Sequence, residues 1–148
     1  MGLRFNRMRH TRTTSDRPTV VLADDHAGIL QHISQLLTPG YNILASVSDG
    51  QMAVDSVLRL GPDIAILDIA MPRLDGFGAA REVRQSSSRT RIVFLTFYDD
   101  DDYIAAALEC GAHAYVLKSL MQSDLIPAIE NALAGQIFVS AHLNLSRR

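Results

Sequence analysis

The chain has 148 residues, room for one compact core rather than two; 47% of them are hydrophobic and 20% charged, and no apolar run nears the ~20 residues that cross a bilayer. A membrane-spanning helix is thereby excluded, and the lone Cys110 excludes an internal disulfide and suits a reducing compartment, so the cytoplasm is the expected location. The net charge of -2 is unevenly spread. Arg4, Arg7, Arg9, Arg12 and Arg17 against Asp16 give residues 1–17 a charge of +4, Arg147 and Arg148 add +2, and the stretch between them carries -8.

Residues 1–17 lack helical or strand periodicity and the apolar centre of a secretory signal, so they are expected to form a flexible basic arm. From Thr19 onward, short β-branched runs alternate with amphipathic stretches in five units, the pattern of a parallel sheet covered by helices on both faces. The first strand is predicted over 19–23, followed by a helix over 27–37 on the stripe Ile29, Leu30, Ile33, Leu36 and Leu37. A strand at 43–47 leads to a helix over 50–60, and one at 63–67 to a helix over 75–86. The fourth strand, 91–95, precedes a helix over 100–110 whose start holds the acidic run Asp99 to Asp102, read as carboxylates facing the helix dipole. A strand at 114–117 and a helix over 122–134 complete the set, and Gly61, Gly111 and Gly135 end three of the helices. One domain is therefore expected over 18–138, with 139–148 as a tail or truncated linker.

Ligands of an open parallel sheet sit beyond the carboxyl ends of its strands. Asp24 and Asp25 follow the first strand, Asp68 the third, Thr96 the fourth and Lys118 the fifth. Any one of these reads as a cap or a polar strand end, but five converging positions do not. Crowded carboxylates repel unless a cation intervenes, and Mg2+ suits the set, with Asp25 and Asp68 in front and Asp24 behind. Zinc would need His or Cys, and His10, His26, His32, His113 and His142 are scattered without zinc-type spacing. His26 reads as a solvent-facing residue at a helix start. Beside such an ion, Asp68 can attack a phosphoryl group in line, Lys118 can pair with a phosphoryl oxygen and the Thr96 hydroxyl can donate to another.

The segments Val-Leu-Ala-Asp24-Asp25-His, Leu67-Asp68-Ile-Ala-Met71-Pro72-Arg-Leu-Asp75-Gly76, Leu95-Thr96 and Val-Leu-Lys118-Ser resemble the receiver domain of two-component response regulators over residues 19 to about 138. Asp25 and Asp68 lie 43 residues apart, Asp68 and Thr96 28, and Thr96 and Lys118 22, leaving one or two strand-helix units between sites. Asp24-Asp25-His26 and the stretch Gly111-Ala-His-Ala-Tyr-Val-Leu-Lys118 are most similar to the NarL/FixJ subgroup. That resemblance implies a flavodoxin-like (βα)5 doubly wound sheet of strand order 2-1-3-4-5. It implies phosphorylation of Asp68 by a sensor histidine kinase or phosphotransfer protein, Mg2+ held by Asp25 and Asp68 with Asp24 acting through water, and the Ala70 backbone carbonyl as a further ligand. Thr96 and Tyr115 would form a switch pair that repacks the face of the fourth helix, fifth strand and fifth helix. Tyr115 also reads simply as a half-buried strand aromatic.

Ala70 offers no polar side chain beside Asp68 and Tyr98 is bulky, departures expected to alter the lifetime of the aspartyl-phosphate. Subgroup members usually carry a helix-turn-helix after the receiver, whereas this chain ends at Arg148, so nucleic acid is not an expected partner without an effector unit. The arginine-rich arm admits a polyanion-binding role, with simple disorder as the plainer reading. The chain reads as a stand-alone receiver or as part of a transcription regulator, and a homodimer through the first and fifth helices or the fourth-helix face is left open. A pseudo-receiver serving as a constitutive protein-binding module is the alternative, although such modules typically lose an acid or the lysine. An enzymatic phosphohydrolase is disfavoured because no second Asp stands two residues after Asp68.

Overall fold

The computed structural model describes residues 16–86 and 89–140. The arm as far as Ser15, the Ser87-Ser88 part of the polar connection and the tail from residue 141 lie outside the described residues. The elements run β1 Thr19–Ala23, α1 Ala27–Leu37, β2 Asn42–Val47, α2 Gly50–Leu60, β3 Ile64–Leu67, α3 Gly76–Ser86, β4 Arg91–Thr96, α4 Asp101–Glu109, β5 Ala114–Leu117, a single 3-10 turn Lys118–Leu120, α5 Met121–Leu133 and β6 Phe138–Val139. The strand order is 2-1-3-4-5-6, with every pairing parallel.

The order of the first five strands is the one expected; β6 is an addition. Two residues are too short for an alternation signal, and the strand is specified by its partner. Phe138 and Val139 pair with Ala114 and Tyr115, while Ser140 donates its N–H to the Tyr115 carbonyl and accepts at Oγ from the Leu117 N–H. The ordered chain thus continues past residue 138 along the outer edge of β5.

The two-residue period of the strands sends alternate side chains to opposite faces, and both faces are dry. Val21, Ala23, Ala65, Leu67, Ile92, Phe94, Tyr115 and Leu117 pack under α2, α3 and α4. Val20, Leu22, Ile64, Ile66, Val93, Leu95, Ala114 and Val116 pack under α1 and α5. Asp49 caps α2, its side chain accepting from the Met52 N–H at 2.8 Å, and Asp75 accepts from the Gly78 N–H at the start of α3. Of the acidic run, Asp101 and Asp102 occupy the first turn of α4, and Asp100 is its N-cap without a side-chain capping bond. Asp101 and Asp102 therefore stand where carboxylates face the positive end of the helix dipole, as expected. No helix among the described residues is long and apolar enough to cross a membrane.

At the opposite end of the sheet from the strand carboxyl ends, burial lowers the pKa of His113, helped by the charges of Arg91 and Arg84; Arg91 Nη1 lies 3.3 Å from its Nε2. A depressed folded-state pKa contributes stability above the unfolded value near ~6.5 that is lost as the pH falls through the folded value. Urea midpoints of the parent chain should drop between about pH 7.5 and pH 5.5. His113→Gln should flatten that part of the profile, and an unchanged slope would refute the assignment.

Candidate functional site

The strand order reverses between β1 and β3, and the site lies at that crevice. Asp24 continues β1, with its N–H bonded to the Val47 carbonyl, and Asp68 continues β3, with its N–H bonded to the Ala23 carbonyl. Ladder bonds thus fix both carboxylate-bearing backbones. Asp24 and Asp68 are buried at 1% and 4% exposure, whereas Asp25 is exposed at the rim.

Lys118 leaves the end of β5 and reaches both acids, its Nζ 2.7 Å from Asp24 Oδ2 and 2.9 Å from Asp68 Oδ2. The ammonium is buried and lies 4.7 Å from the centroid of the exposed Phe97 ring. The other Asp68 oxygen, Oδ1, accepts the Ile69 N–H at 2.7 Å, so each oxygen has a fixed donor. Burial raises the pKa of Asp68; the bond from Lys118 opposes the shift, and the negative charge of Asp24 adds to it.

Asp24, Asp25, His26 and Asp68 each place a ligating atom so that all lie within 4.8 Å of one another. Three carboxylates at this spacing fit a hard divalent ion, and Lys118 occupies only one oxygen of Asp24 and of Asp68. His26 differs in part from its expected role. It does stand at the start of α1 with a side chain 57% exposed, but its Nδ1 turns back to Asp24 Oδ1 at 2.9 Å and Asp25 Oδ1 at 3.1 Å. Its neighbours in sequence gave the only hint of this. Ala70 lies exposed two residues beyond Asp68.

Thr96 and Tyr115 are wholly buried. The Thr96 hydroxyl accepts the Tyr98 N–H at 3.2 Å, and the Tyr115 hydroxyl donates to the Tyr98 carbonyl at 2.7 Å. Tyr98 therefore joins them through its backbone, while its ring stacks on Tyr103 of α4 at 4.6 Å between centroids. Tyr115 is more deeply enclosed than a half-buried strand aromatic; desolvation raises its hydroxyl pKa, and the Asp100 charge adds to the effect.

Residues 20–130 match the family model of the response regulator receiver domain. The chain is 34% identical over 130 residues to the oxygen regulatory protein NreC of Staphylococcus epidermidis, covering 86% of this chain and 60% of that protein. It is 40% identical over 116 residues to the transcriptional regulatory protein PdtaR of Mycobacterium tuberculosis, covering 78% and 56%. The chain thus spans less than two thirds of the length of these relatives. Among solved structures it resembles a LuxR-family two-component response regulator from Aurantimonas, with a TM-score of 0.81 and 31% identity over 86% of this chain and 92% of that one. It also resembles the receiver domain of the putative response regulator NarL from Mycobacterium tuberculosis, with a TM-score of 0.77 and 27% identity over 81% and 98%.

Proposed function

This chain belongs to the response regulator receiver family, and from that premise we propose that Asp68 accepts a phosphoryl group from a histidine kinase or phosphotransfer protein, with Lys118, Thr96 and Tyr115 reading the change. The observation that carries the proposal is the placement of Lys118 between Asp24 and Asp68, a buried cation that pairs with Asp68 Oδ2 while the Ile69 N–H holds Asp68 Oδ1. These bonds orient the Asp68 carboxylate toward an incoming phosphorus. An Asp68 oxygen forms the new bond to phosphorus while the bond to the donor nitrogen breaks, its electron pair leaving with the imidazole. Asp24, Asp25, Asp68 and the Ala70 carbonyl would hold Mg2+, which when bound neutralises charge on the phosphoryl oxygens.

Lys118 is already desolvated and can transfer one of its ion pairs to a phosphoryl oxygen without leaving its position. The Thr96 hydroxyl accepts the Tyr98 N–H and keeps its own proton to donate to such an oxygen, so a shift of Thr96 toward the phosphoryl group would pull on the same Tyr98 backbone that receives the Tyr115 hydroxyl. A charge change at Asp68 is thereby passed to the face of α4, β5 and α5, where a partner or a second copy would bind.

The test is incubation of the full chain with acetyl phosphate and Mg2+, read by intact mass. One phosphoryl group should be gained, sensitive to hydroxylamine, absent after chelation and absent from Asp68→Asn. Uptake that survives Asp68→Asn would move the acceptor elsewhere. No uptake by the parent chain would favour a constitutive binding module.

A further inference from the structure

We propose that Asp49 is a positioning residue for the loop that carries Asp68 and Ala70, acting through Arg73; the inference rests on reading Asp68 and its neighbouring carboxylates as the phosphoryl and Mg2+ site. Asp49 lies between β2 and α2 and is 5% exposed, too deep for an idle carboxylate. Its two oxygens do separate work. Oδ1 accepts the Met52 N–H at 2.8 Å, which caps α2, and Oδ2 receives Arg73 Nε at 3.0 Å. Capping needs one acceptor, which Asn or Ser supplies as well, so the second contact calls for another explanation.

Arg73 supplies one. Among the described residues it is the only non-glycine with positive φ, at 70°, and it stands in the loop between Asp68 and α3. A left-handed non-glycine persists where its surroundings hold it. The Arg73 side chain is 74% exposed, so packing does not hold it, and the ion pair to a buried acid is its anchor.

Backbone contacts on either side of Arg73 show what that anchor locates. The Gly50 N–H reaches the Pro72 carbonyl at 3.4 Å, and a Cβ on Gly50 would lie 1.8 Å from the Leu74 carbonyl oxygen. Further along, the Gly76 N–H binds the Ile69 carbonyl at 2.7 Å. The loop is therefore seated on the first residues of α2 at one end and closed against Asp68 at the other, with the Asp49–Arg73 pair clamping its middle. Ile69, whose N–H orients Asp68, and Ala70 lie inside this clamp. Release of Arg73 allows the loop to drift without unfolding α2 or removing a metal ligand.

Two variants separate this role from simple capping. Asp49→Asn keeps an acceptor for Met52 but loses the anion that holds Arg73, and Arg73→Gly keeps the left-handed turn while removing the guanidinium. Calorimetric Mg2+ titration of the unphosphorylated full chain should show each variant weakened about tenfold, the low end for loss of a contact outside the ligand shell. The double variant should be no weaker than either single one, because both break the same link. Urea midpoints should show that Asp49→Asn remains folded. Parent-like Mg2+ affinity in both variants overturns the positioning role alone, and additive losses overturn the link through Arg73. A parent chain that neither binds Mg2+ nor takes up phosphoryl overturns the site reading as well.

Discussion

Replacing Lys118 by methionine is expected to cut phosphoryl uptake about a hundredfold or more, the scale set by losing one preorganised charge-stabilising group. Methionine matches the stem in length and removes the ammonium that lies within 2.9 Å of two buried carboxylates. Asp24 and Asp68 then face each other with no interior cation, and removing one partner of a buried pair costs roughly 3–5 kcal/mol. Protonation offers a partial escape. Burial already holds the Asp68 pKa up, and Lys118, which opposes the shift more than the Ile69 N–H does, is the group removed. The loss in urea midpoint should therefore be greatest near neutral pH and shrink as the pH falls and Asp68 takes its proton. Mg2+ should bind the variant more tightly than the parent, because a competing cation has gone. Lys118 is the only lysine in the chain, so one labelled Nζ resonance in the parent reports directly on its transfer to a phosphoryl oxygen. Parent-like uptake by Lys118→Met would remove the lysine from the mechanism.

How much of this was legible in the sequence depends on the reach of each interaction. The alternation of β-branched runs and helical stripes located the five strand-helix units because it records burial on both sheet faces, a property local to each segment. The rule that ligands gather beyond strand carboxyl ends picked out Asp24, Asp25, Asp68, Thr96 and Lys118, and the fold places all five at those ends. Contacts made between segments were not legible. That Lys118 bridges to Asp24 as well as Asp68, that His26 turns onto the acids, and that Asp49 reaches Arg73 depend on relative placement, which no spacing encodes. β6 escaped for a related reason, because its register comes from Tyr115 and Leu117 rather than from its own two residues. Tyr115 was misjudged in depth because α4 and the β4–α4 loop close over it.

The second large effect is expected at Gly76, where helix propensity and close packing make opposite predictions. Gly76 opens α3, and alanine there would gain up to about 1 kcal/mol from propensity and lost unfolded-state freedom. Its φ is not positive, so the backbone itself would accept a side chain. The obstacle is the phosphoacceptor strand. A Cβ on Gly76 would lie 2.2 Å from the Asp68 carbonyl oxygen and 2.8 Å from the Ile69 Cα, both of them backbone atoms that no rotamer change can clear. The contact exceeds any propensity gain, since overpacking against fixed structure costs about 1–3 kcal/mol and more where the backbone itself must shift. The shift falls on Ile69, whose N–H holds Asp68 Oδ1, so Gly76→Ala should lose phosphoryl uptake and Mg2+ affinity together with stability. Gly28 in α1 supplies the contrast, because a Cβ there meets nothing within 4 Å. Gly28→Ala should leave uptake unchanged and raise the urea midpoint slightly. If the two substitutions behaved alike, the tight seat of α3 on the Asp68 loop would not be what holds the carboxylate in place.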